Sequence, residues 1–328
     1  MSSAKRIIKV HRFAHEAMTT VFEIVVAGKS RTYAGQAARA AFDEVDRIER
    51  LFSRFDPSSE ISRLSRLRPG ERMRIGVETV ECLAAAARIQ AETAGAFDVN
   101  YRTRLSAARG KEGPSPLETV PGPAQRHGPR IGGVPPNLLN LISLRMVPGG
   151  FEVERRAGRA RRRLLRLDLD LGALGKGYAV DRALDVLADW SVTNSLVHAG
   201  MSTARGVGPG PGREKTGWPV GVARAWRGEG APRLVRLRGL ALSGSGTEVK
   251  GRHIIDPRTG RPARPRLAAW AAHPSAAVSD ALSTAFFVMR TAEVARYCRS
   301  HPEVWALVII PGKKCRIFNA KAIALPQR

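Results

Sequence analysis

The sequence is poor in several residue types, and each shortage excludes a class of protein. Only three of the 328 residues are cysteine, and their spacings fit neither a zinc site nor a disulfide framework. We therefore expect reduced, partly buried thiols at Cys82, Cys298 and Cys315. Aromatic residues make up 6% of the chain, and no window approaches the roughly 18 uninterrupted apolar residues of a membrane-spanning helix. The protein is not expected to span a membrane.

The N-terminus lacks the apolar segment of a secretory signal. Its residues include several basic side chains but no apolar run of about 7 to 15 residues. As written, the sequence predicts a cytoplasmic protein with a short tail over residues 1–12. A different true start would instead allow a periplasmic or membrane-anchored protein.

Acidic residues are also scarce. The chain has 29 Asp and Glu against 54 Lys and Arg, a formal net charge of +25, and most of the basic residues are arginine. Such an excess fits either nucleic-acid binding or an arginine bias spread over the whole surface. The densest run, residues 155–166, has seven arginines but no interleaved aromatic residues for base stacking. We therefore expect a diffuse basic surface without a specific nucleic-acid site.

The apolar and charged fractions, 43% and 25%, are typical of a folded globular protein. Many strand-like runs occur in mixed order with amphipathic helices, which predicts an α+β fold. The predicted helices cover residues 34–52, 78–93, 278–289 and 292–299, and the predicted strands include 18–27 and 164–171. Pro148-Gly149-Gly150 predicts a β-hairpin, and residues 110–140 form a Pro- and Gly-rich insertion or loop.

The most informative segment is DLGALGKGYAVD, residues 170–181. Its glycines allow close backbone approach, the helix that follows attracts anions at its N-terminus, and Lys176 adds a positive charge there. These features predict either a phosphate cradle or simply a glycine-rich start of a helix. A Walker loop is excluded, because Asp170 stands where that loop needs glycine and Gly177 stands where it needs a hydroxyl.

Two further segments carry residues suited to chemistry. SGSGTEVKGRHIIDPRTGRPA places His253 beside Asp256 and Arg258 on a tight loop, which suits acid–base or phosphate chemistry, although loop histidines are more commonly structural. VSDALSTAFFVM places Asp280 and Thr284 one helical turn apart, which suits a hard cation such as Mg²⁺. The alternative is that Asp280 caps the helix and Thr284 bonds back to it.

In combination, six segments resemble the flavin transferases of the ApbE type in order and approximate spacing. They are MTTVFEIVV, FSRFDPSSEISRLS, GAFDV, DLGALGKGYAVD, SGSGTEVKGRHIIDPRTGRPA and SDALSTAFFVM. The resemblance extends from Phe13 to about Ile310. It implies a single large α+β domain over residues 13–328, with a mixed sheet and a flavin cleft.

The resemblance also implies an activity: Mg²⁺-dependent transfer of FMN from FAD to a Ser or Thr hydroxyl of an acceptor protein, with release of AMP. It implies that Mg²⁺ is bound by the side chains of Asp280 and Thr284 and the carbonyl of Gly175. His253 would be the base that activates the acceptor hydroxyl. The residues implied to bind FAD are Met18, Glu60, Asp98, Lys176, Asp181, Ser243, Gly244 and His253.

The sequence departs from the family pattern at three places. Gly200-Met201-Ser202 stands where the family usually carries a glycine pair and an acid or Asn, Thr19 replaces the glycine of an MGT-like start, and Ser65 replaces an asparagine. Two alternatives therefore stay open. One is an FAD pyrophosphate hydrolase that forms FMN and AMP, and the other is a catalytically idle flavin-binding or partner-binding paralogue.

Overall fold

The computed structural model describes residues 8–103, 137–156, 159–160, 163–164, 167–212, 216–222, 234–246, 254–263, 266–312 and 314–323. The helices in these ranges are α1 (Arg31–Phe52), α2 (Glu60–Arg66), α3 (Val77–Glu92), α4 (Gly175–Asp189), α5 (Ala276–Val288) and α6 (Thr291–Ser300). The strands are β1 (Val10–Ala17), β2 (Thr20–Ala27), β3 (Arg72–Ile75), β4 (Ile142–Val147), β5 (Gly150–Arg155), β6 (Arg159–Ala160), β7 (Arg163–Leu164), β8 (Ser195–Ala199), β9 (Thr203–Val207), β10 (Trp218–Gly221), β11 (Leu234–Leu237), β12 (Leu240–Gly246), β13 (Ile255–Asp256), β14 (Arg261–Pro262), β15 (Ala268–His273), β16 (Trp305–Ile310) and β17 (Lys314–Phe318).

The largest sheet in the described part of the chain has eight strands in the order β1-β2-β8-β9-β12-β15-β16-β17. The helices and this sheet confirm the predicted α+β class. The expectation of mixed strand directions is wrong, because every neighbouring pair in this sheet is antiparallel. The reason is that each connection between neighbouring strands, whether long or a tight turn, enters the next strand at the same end of the sheet at which the previous strand finished.

The first two strands form a hairpin that the sequence predicted only in part. Strand β1 pairs with β2 along its whole length, and Met18 and Thr19 form the turn between them, with φ of 50° and 59°. The strand predicted to begin at Met18 therefore begins two residues later. Because β1 starts at Val10, its first residues lie inside the predicted tail over 1–12.

Apolar side chains bury both faces of the large sheet. On one face, helices α1, α4 and α5 cover a core that includes Phe22, Ile24 and Val197. On the other face, β10 and β11 cover a smaller core that includes Leu237 and Trp305. Burial of each large apolar side chain contributes roughly 1.5–3 kcal/mol, so these two layers hold the sheet in place beneath the helices.

The remaining expectations have different outcomes. The four predicted helices are present with small shifts of their ends, and the hairpin at Pro148-Gly149-Gly150 joins β4 and β5. The strand predicted over residues 164–171 is wrong over residues 167–171, which pair with no strand. Helix α2 and strand β3, which pairs with β5, were not predicted. Most of the predicted insertion over 110–140 lies outside the described residues.

All three cysteines are free, and Cys82 and Cys298 are buried while Cys315 is half-buried. This confirms the predicted reduced thiols. In the part of the chain that the structure describes, no helix is long and apolar enough to cross a membrane.

Candidate active site

The candidate site lies at the end of the large sheet where the β1–β2 turn, the β8–β9 turn and the end of β12 meet. The β8–β9 turn is fixed on both sides: the Gly200 N–H donates to the Val21 carbonyl at 2.7 Å, and the Gly244 N–H donates to the Ser202 carbonyl at 2.8 Å. Gly200 has a φ of +56°, and a β-carbon there would lie 2.2 Å from Thr20 Oγ1. The left-handed backbone and the close Thr20 hydroxyl therefore favour glycine at position 200.

The glycine-rich segment forms a tight turn that leads into α4. The Gly172 N–H donates to Asp170 Oδ1 at 2.9 Å, and the Lys176 ammonium donates to the Gly172 carbonyl. A β-carbon on Gly177 would lie 2.2 Å from the carbonyl oxygen of Ala276. The glycine at position 177 therefore lets the first turn of α4 touch the first turn of α5.

Asp280 lies on α5 and faces this contact. Its side chain is almost fully buried, and its Oδ2 accepts a hydrogen bond from the Gly177 N–H at 3.3 Å. The Lys176 ammonium is 3.7 Å from the same oxygen. The N-cap of α5 is Ser275, so the alternative that Asp280 caps its helix is wrong.

Hydroxyl groups lie next to Asp280 along α5. Ser245, at the end of β12, is 3.1 Å from Thr284 Oγ1 and 2.9 Å from Ser283 Oγ. The Ser283 hydroxyl donates to the backbone carbonyl of Asp280 at 2.8 Å. A buried carboxylate and a hydroxyl one turn further along the same helix are both hard oxygen donors, and such donors fit Mg²⁺.

Gly175, the third implied ligand, is the first residue of α4. Its carbonyl accepts an intrahelical bond and keeps a second lone pair that a cation could use. Within the described residues, no group of three or more His, Cys, Asp or Glu side chains could hold a metal. A site built from one carboxylate, one hydroxyl and one carbonyl is not such a group, so the magnesium site stays a prediction.

Asp181, predicted to lie at the phosphates and adenosine of FAD, contacts the start of α5 in the folded protein. Its Oδ1 accepts from the Ala276 N–H at 2.8 Å and from Arg205 at 2.7 Å. Its Oδ2 accepts from the Ser275 hydroxyl at 2.7 Å and from the Ala277 N–H at 3.1 Å. Both oxygens are engaged by donors within the protein, and Arg205 balances the charge of the carboxylate.

Glu60 and Asp98 also bond to nearby backbone. Glu60 accepts hydrogen bonds from the Gly76 N–H, at 3.0 and 3.1 Å to its two oxygens, and from the Thr79 hydroxyl at 2.5 Å. It therefore supports the start of α3. Asp98 is buried and accepts from the Asn100 N–H at 2.8 Å.

The segment around Asp98 adjoins the approach to the glycine-rich turn. The Asp170 N–H donates to the Val99 carbonyl at 2.8 Å. Ser65, where the family commonly has asparagine, accepts from the Leu169 N–H at 3.0 Å. The serine at this position thus anchors the segment that leads into the glycine-rich turn.

Three predicted FAD residues lie at the turns and strand ends of this region. Met18 is half-buried in the β1–β2 turn and packs against the main core. Ser243 is fully buried, and a β-carbon on Gly244 would lie 2.5 Å from the indole nitrogen of Trp270. Sequence reasoning missed Ser245, which shares a strand face with Ser243 but lies nearer the strand end.

His253 lies outside the described residues. The loop that follows it is well anchored, because Arg258 donates to Asp256 at 3.0 Å and to Glu293 of α6 at 3.3 Å. The hydrogen bonds to Asp256 raise the pKa of the Arg258 guanidinium. The segment immediately after His253 therefore has a fixed position against α6.

The fold and this site together define an α+β protein with a glycine-rich helix start facing a buried carboxylate. Known structures share the fold. The apo form of the flavinyl transferase ApbE from Pseudomonas stutzeri has a TM-score of 0.70 at 20% identity, with 98% of both chains covered. The ApbE protein from Thermotoga maritima has a TM-score of 0.68 at 26% identity, with 94% of this chain and 96% of that chain covered.

The model of the ApbE family matches residues 18–308. This chain belongs to the ApbE family. The FAD:protein FMN transferase of Salmonella typhimurium is 24% identical over 292 residues, which are 84% of this chain and 77% of that protein. The FAD:protein FMN transferase of Treponema pallidum is 31% identical over 165 residues, and this match spans 46% of each protein.

Proposed function

We propose that this protein transfers FMN from FAD to a Ser or Thr hydroxyl of an acceptor protein and releases AMP, with Mg²⁺ as its cofactor. The observation that carries the proposal is the contact of buried Asp280 with Lys176 and the first turn of α4. It combines a place for anionic phosphates with a carboxylate suited to a cation. Membership of the ApbE family and similarity to FAD:protein FMN transferases support the choice of FAD and of FMN transfer.

The start of α4 would hold the pyrophosphate of FAD. The N–H groups of a helix N-terminus attract anions, and the ammonium of Lys176 lies beside them. Lys176 currently contacts the Gly172 carbonyl and Asp280. Its flexible side chain can turn from these partners to a phosphate oxygen without movement of the backbone.

Asp280, Thr284 and the Gly175 carbonyl would hold Mg²⁺ next to that pyrophosphate. Held by these residues, the cation would supply positive charge against the negative charge that builds up on the leaving AMP. Asp280 supplies the only formal charge among the three ligands. Ser245 orients Thr284 through the hydrogen bond between their hydroxyls.

His253 would act as the general base, and the anchored loop after it would keep it near the acceptor. The acceptor hydroxyl gives its proton to the imidazole as its oxygen forms a bond to the phosphorus of the FMN moiety. The bond from that phosphorus to the bridging oxygen breaks, and AMP leaves with this oxygen. The products are a phosphoester-linked FMN and AMP.

Met18, Asp98 and Gly244 would line the flavin cleft. Glu60 and Ser243 would support the wall of the cleft without touching FAD, because the Glu60 carboxylate bonds to the start of α3 and Ser243 is fully buried. The basic surface would serve no specific nucleic acid. Met201, which is 91% exposed on the fixed β8–β9 turn, would contact the bound acceptor rather than FAD.

The experiment that tests this function incubates the protein with FAD, Mg²⁺ and a library of peptides that each carry one Thr or Ser. Mass spectrometry then separates three outcomes. Peptides that gain the mass of FMN support the transferase. Free FMN and AMP without a modified peptide would indicate the hydrolase instead, and unchanged FAD bound to folded protein would indicate an idle flavin-binding paralogue.

A further inference from the structure

The carboxylate of Asp181 joins two helices that meet at the candidate active site. Asp181 lies on α4 one turn after Gly177, and its four hydrogen-bond donors come from Ser275, the first turn of α5 and Arg205 of β9. The residues that donate from α5 are more than 90 positions away along the chain. This is therefore a tertiary contact and not a local turn.

The contact satisfies the start of α5. The first N–H groups of a helix have no intrahelical partner, and a carboxylate that accepts from them also interacts favourably with the helix dipole. Asp181 accepts from the N–H groups of Ala276 and Ala277, while Ser275 caps the Val278 N–H at 3.3 Å. Together these two side chains occupy the N-terminus of the helix.

The contact also fixes where Asp280 lies. Asp280 follows Ala276 by one helical turn, so any sliding or rotation of α5 against α4 moves its carboxylate away from Lys176 and the Gly177 N–H. Gly177 and Asp181 are likewise one turn apart on α4. The helices are thus held at two points, by the Gly177–Ala276 approach and by the Asp181 hydrogen bonds.

We infer that Asp181 is a positioning residue for the metal site rather than a ligand of FAD. This inference rests on the proposed function, because it assumes that Asp280 binds the cation. Asp181 keeps α5 in the rotation that presents Asp280 to the start of α4, and Arg205 balances its charge. Four protein donors already engage its own oxygens.

The test compares Asp181→Asn and Asp181→Ala with Asp185→Asn as the matched control. Asp185 lies one turn further along α4, and its exposed carboxylate pairs with Arg182 at 3.1 Å. Two binding measurements are made on each purified protein. Calorimetry gives the affinity for FAD without metal, and electron paramagnetic resonance gives the affinity of the FAD-saturated protein for Mn²⁺, used as the probe of the magnesium site.

In Asp181→Ala, we expect the Mn²⁺ affinity to fall by about tenfold or more, while the FAD affinity without metal stays within about threefold. Asp181→Asn should lose less, because its amide oxygen still accepts from the Ala276 N–H. The control should change neither value. If Asp181→Ala does not fold by circular dichroism, the isosteric Asn variant carries the same comparison.

A fall in FAD affinity with an unchanged Mn²⁺ affinity would make Asp181 a ligand of FAD and overturn the inference. Unchanged values of both affinities would overturn it as well, and so would an absence of Mn²⁺ binding in the unmodified protein. Both measurements are made without an acceptor. A failure of FMN transfer alongside the expected binding changes would therefore refute the proposed function and leave the role of Asp181 standing.

Discussion

Gly177 and Ala276 lie so close that a β-carbon on Gly177 would be 2.2 Å from the Ala276 carbonyl oxygen and 2.8 Å from the Cα of Ala277. Both neighbours are backbone atoms of α5 and cannot turn away. We expect Gly177→Ala to push the two helices apart and to destabilise the protein by about 1–3 kcal/mol, although alanine itself favours a helix. Urea unfolding followed by circular dichroism measures this change.

Gly175→Ala is the matched control for that substitution. Its β-carbon would make an ordinary contact with Phe52 at 3.4 Å, and the residue is also helical. We expect its free energy of unfolding to stay within about 0.5 kcal/mol of the original or to rise. Equal losses in both variants would show that the close approach of α4 and α5 does not govern stability.

Asp280→Asn should lower turnover much more than it lowers the affinity for FAD. The amide keeps the shape of the side chain but removes the negative charge that would hold Mg²⁺. We expect FMN transfer to fall by about 100-fold or more, while FAD affinity without metal changes by less than about tenfold, because Lys176 and the start of α4 remain. Asp189→Asn, an exposed substitution at the far end of α4, should retain full transfer. Near-normal turnover in Asp280→Asn would remove Asp280 from the metal site.

His273 should make the protein less stable in mild acid. Burial lowers the pKa of its imidazole below 6.5, an effect larger than the opposing one of Glu303. Its Nδ1 also accepts a hydrogen bond from the Ser275 N–H at 2.9 Å. The unfolded chain therefore binds a proton at His273 more readily than the folded protein does, and stability falls as the pH drops below about 6.5.

The corresponding measurement is urea unfolding at several pH values between 5 and 8. A His273→Gln variant should show a smaller loss of stability over this interval than the original protein. If the free energy of unfolding falls equally with pH in the two proteins, His273 takes up its proton equally well in the folded and unfolded states.

The three thiols should differ in reactivity. Burial raises the pKa of Cys298 to about 12 and raises that of Cys82 well above its ordinary value. Cys315 is also shifted upward by burial but is only half-buried. A disulfide reagent such as DTNB should therefore modify Cys315 first in the folded protein. Cys315→Ser should abolish this early reaction, and rapid reaction of that variant would show that a buried thiol opens to solvent.

The sequence predicted the long helices because their apolar residues recur with helical spacing, and α1 buries Ala34, Ala41 and Val45 as that pattern requires. It did not reveal β1. The strand alternates exposed and half-buried side chains, and its only fully buried residue is Ala17. Strand β1 forms because it pairs with β2, and its own weak pattern does not predict this pairing.

The candidate site was predictable where the residues lie close in the chain. Asp280 and Thr284 share one helix, so their spacing alone brings them together. The contacts of Asp181 with Ser275 and the choice of Ser245 over Ser243 depend on where distant segments pack and where β12 ends. Such choices follow from tertiary structure, and no local pattern encodes them.

Basic side chains on the two edge strands of the large sheet should reduce association between copies of the protein. In the described part of the chain, β1 and β17 are its outer strands, and exposed Arg12, Lys314 and Arg316 lie on them. Cationic side chains on an edge strand repel a second copy that approaches edge to edge. Because this repulsion between molecules of net charge +25 is screened by salt, the protein should remain dispersed most readily at low ionic strength.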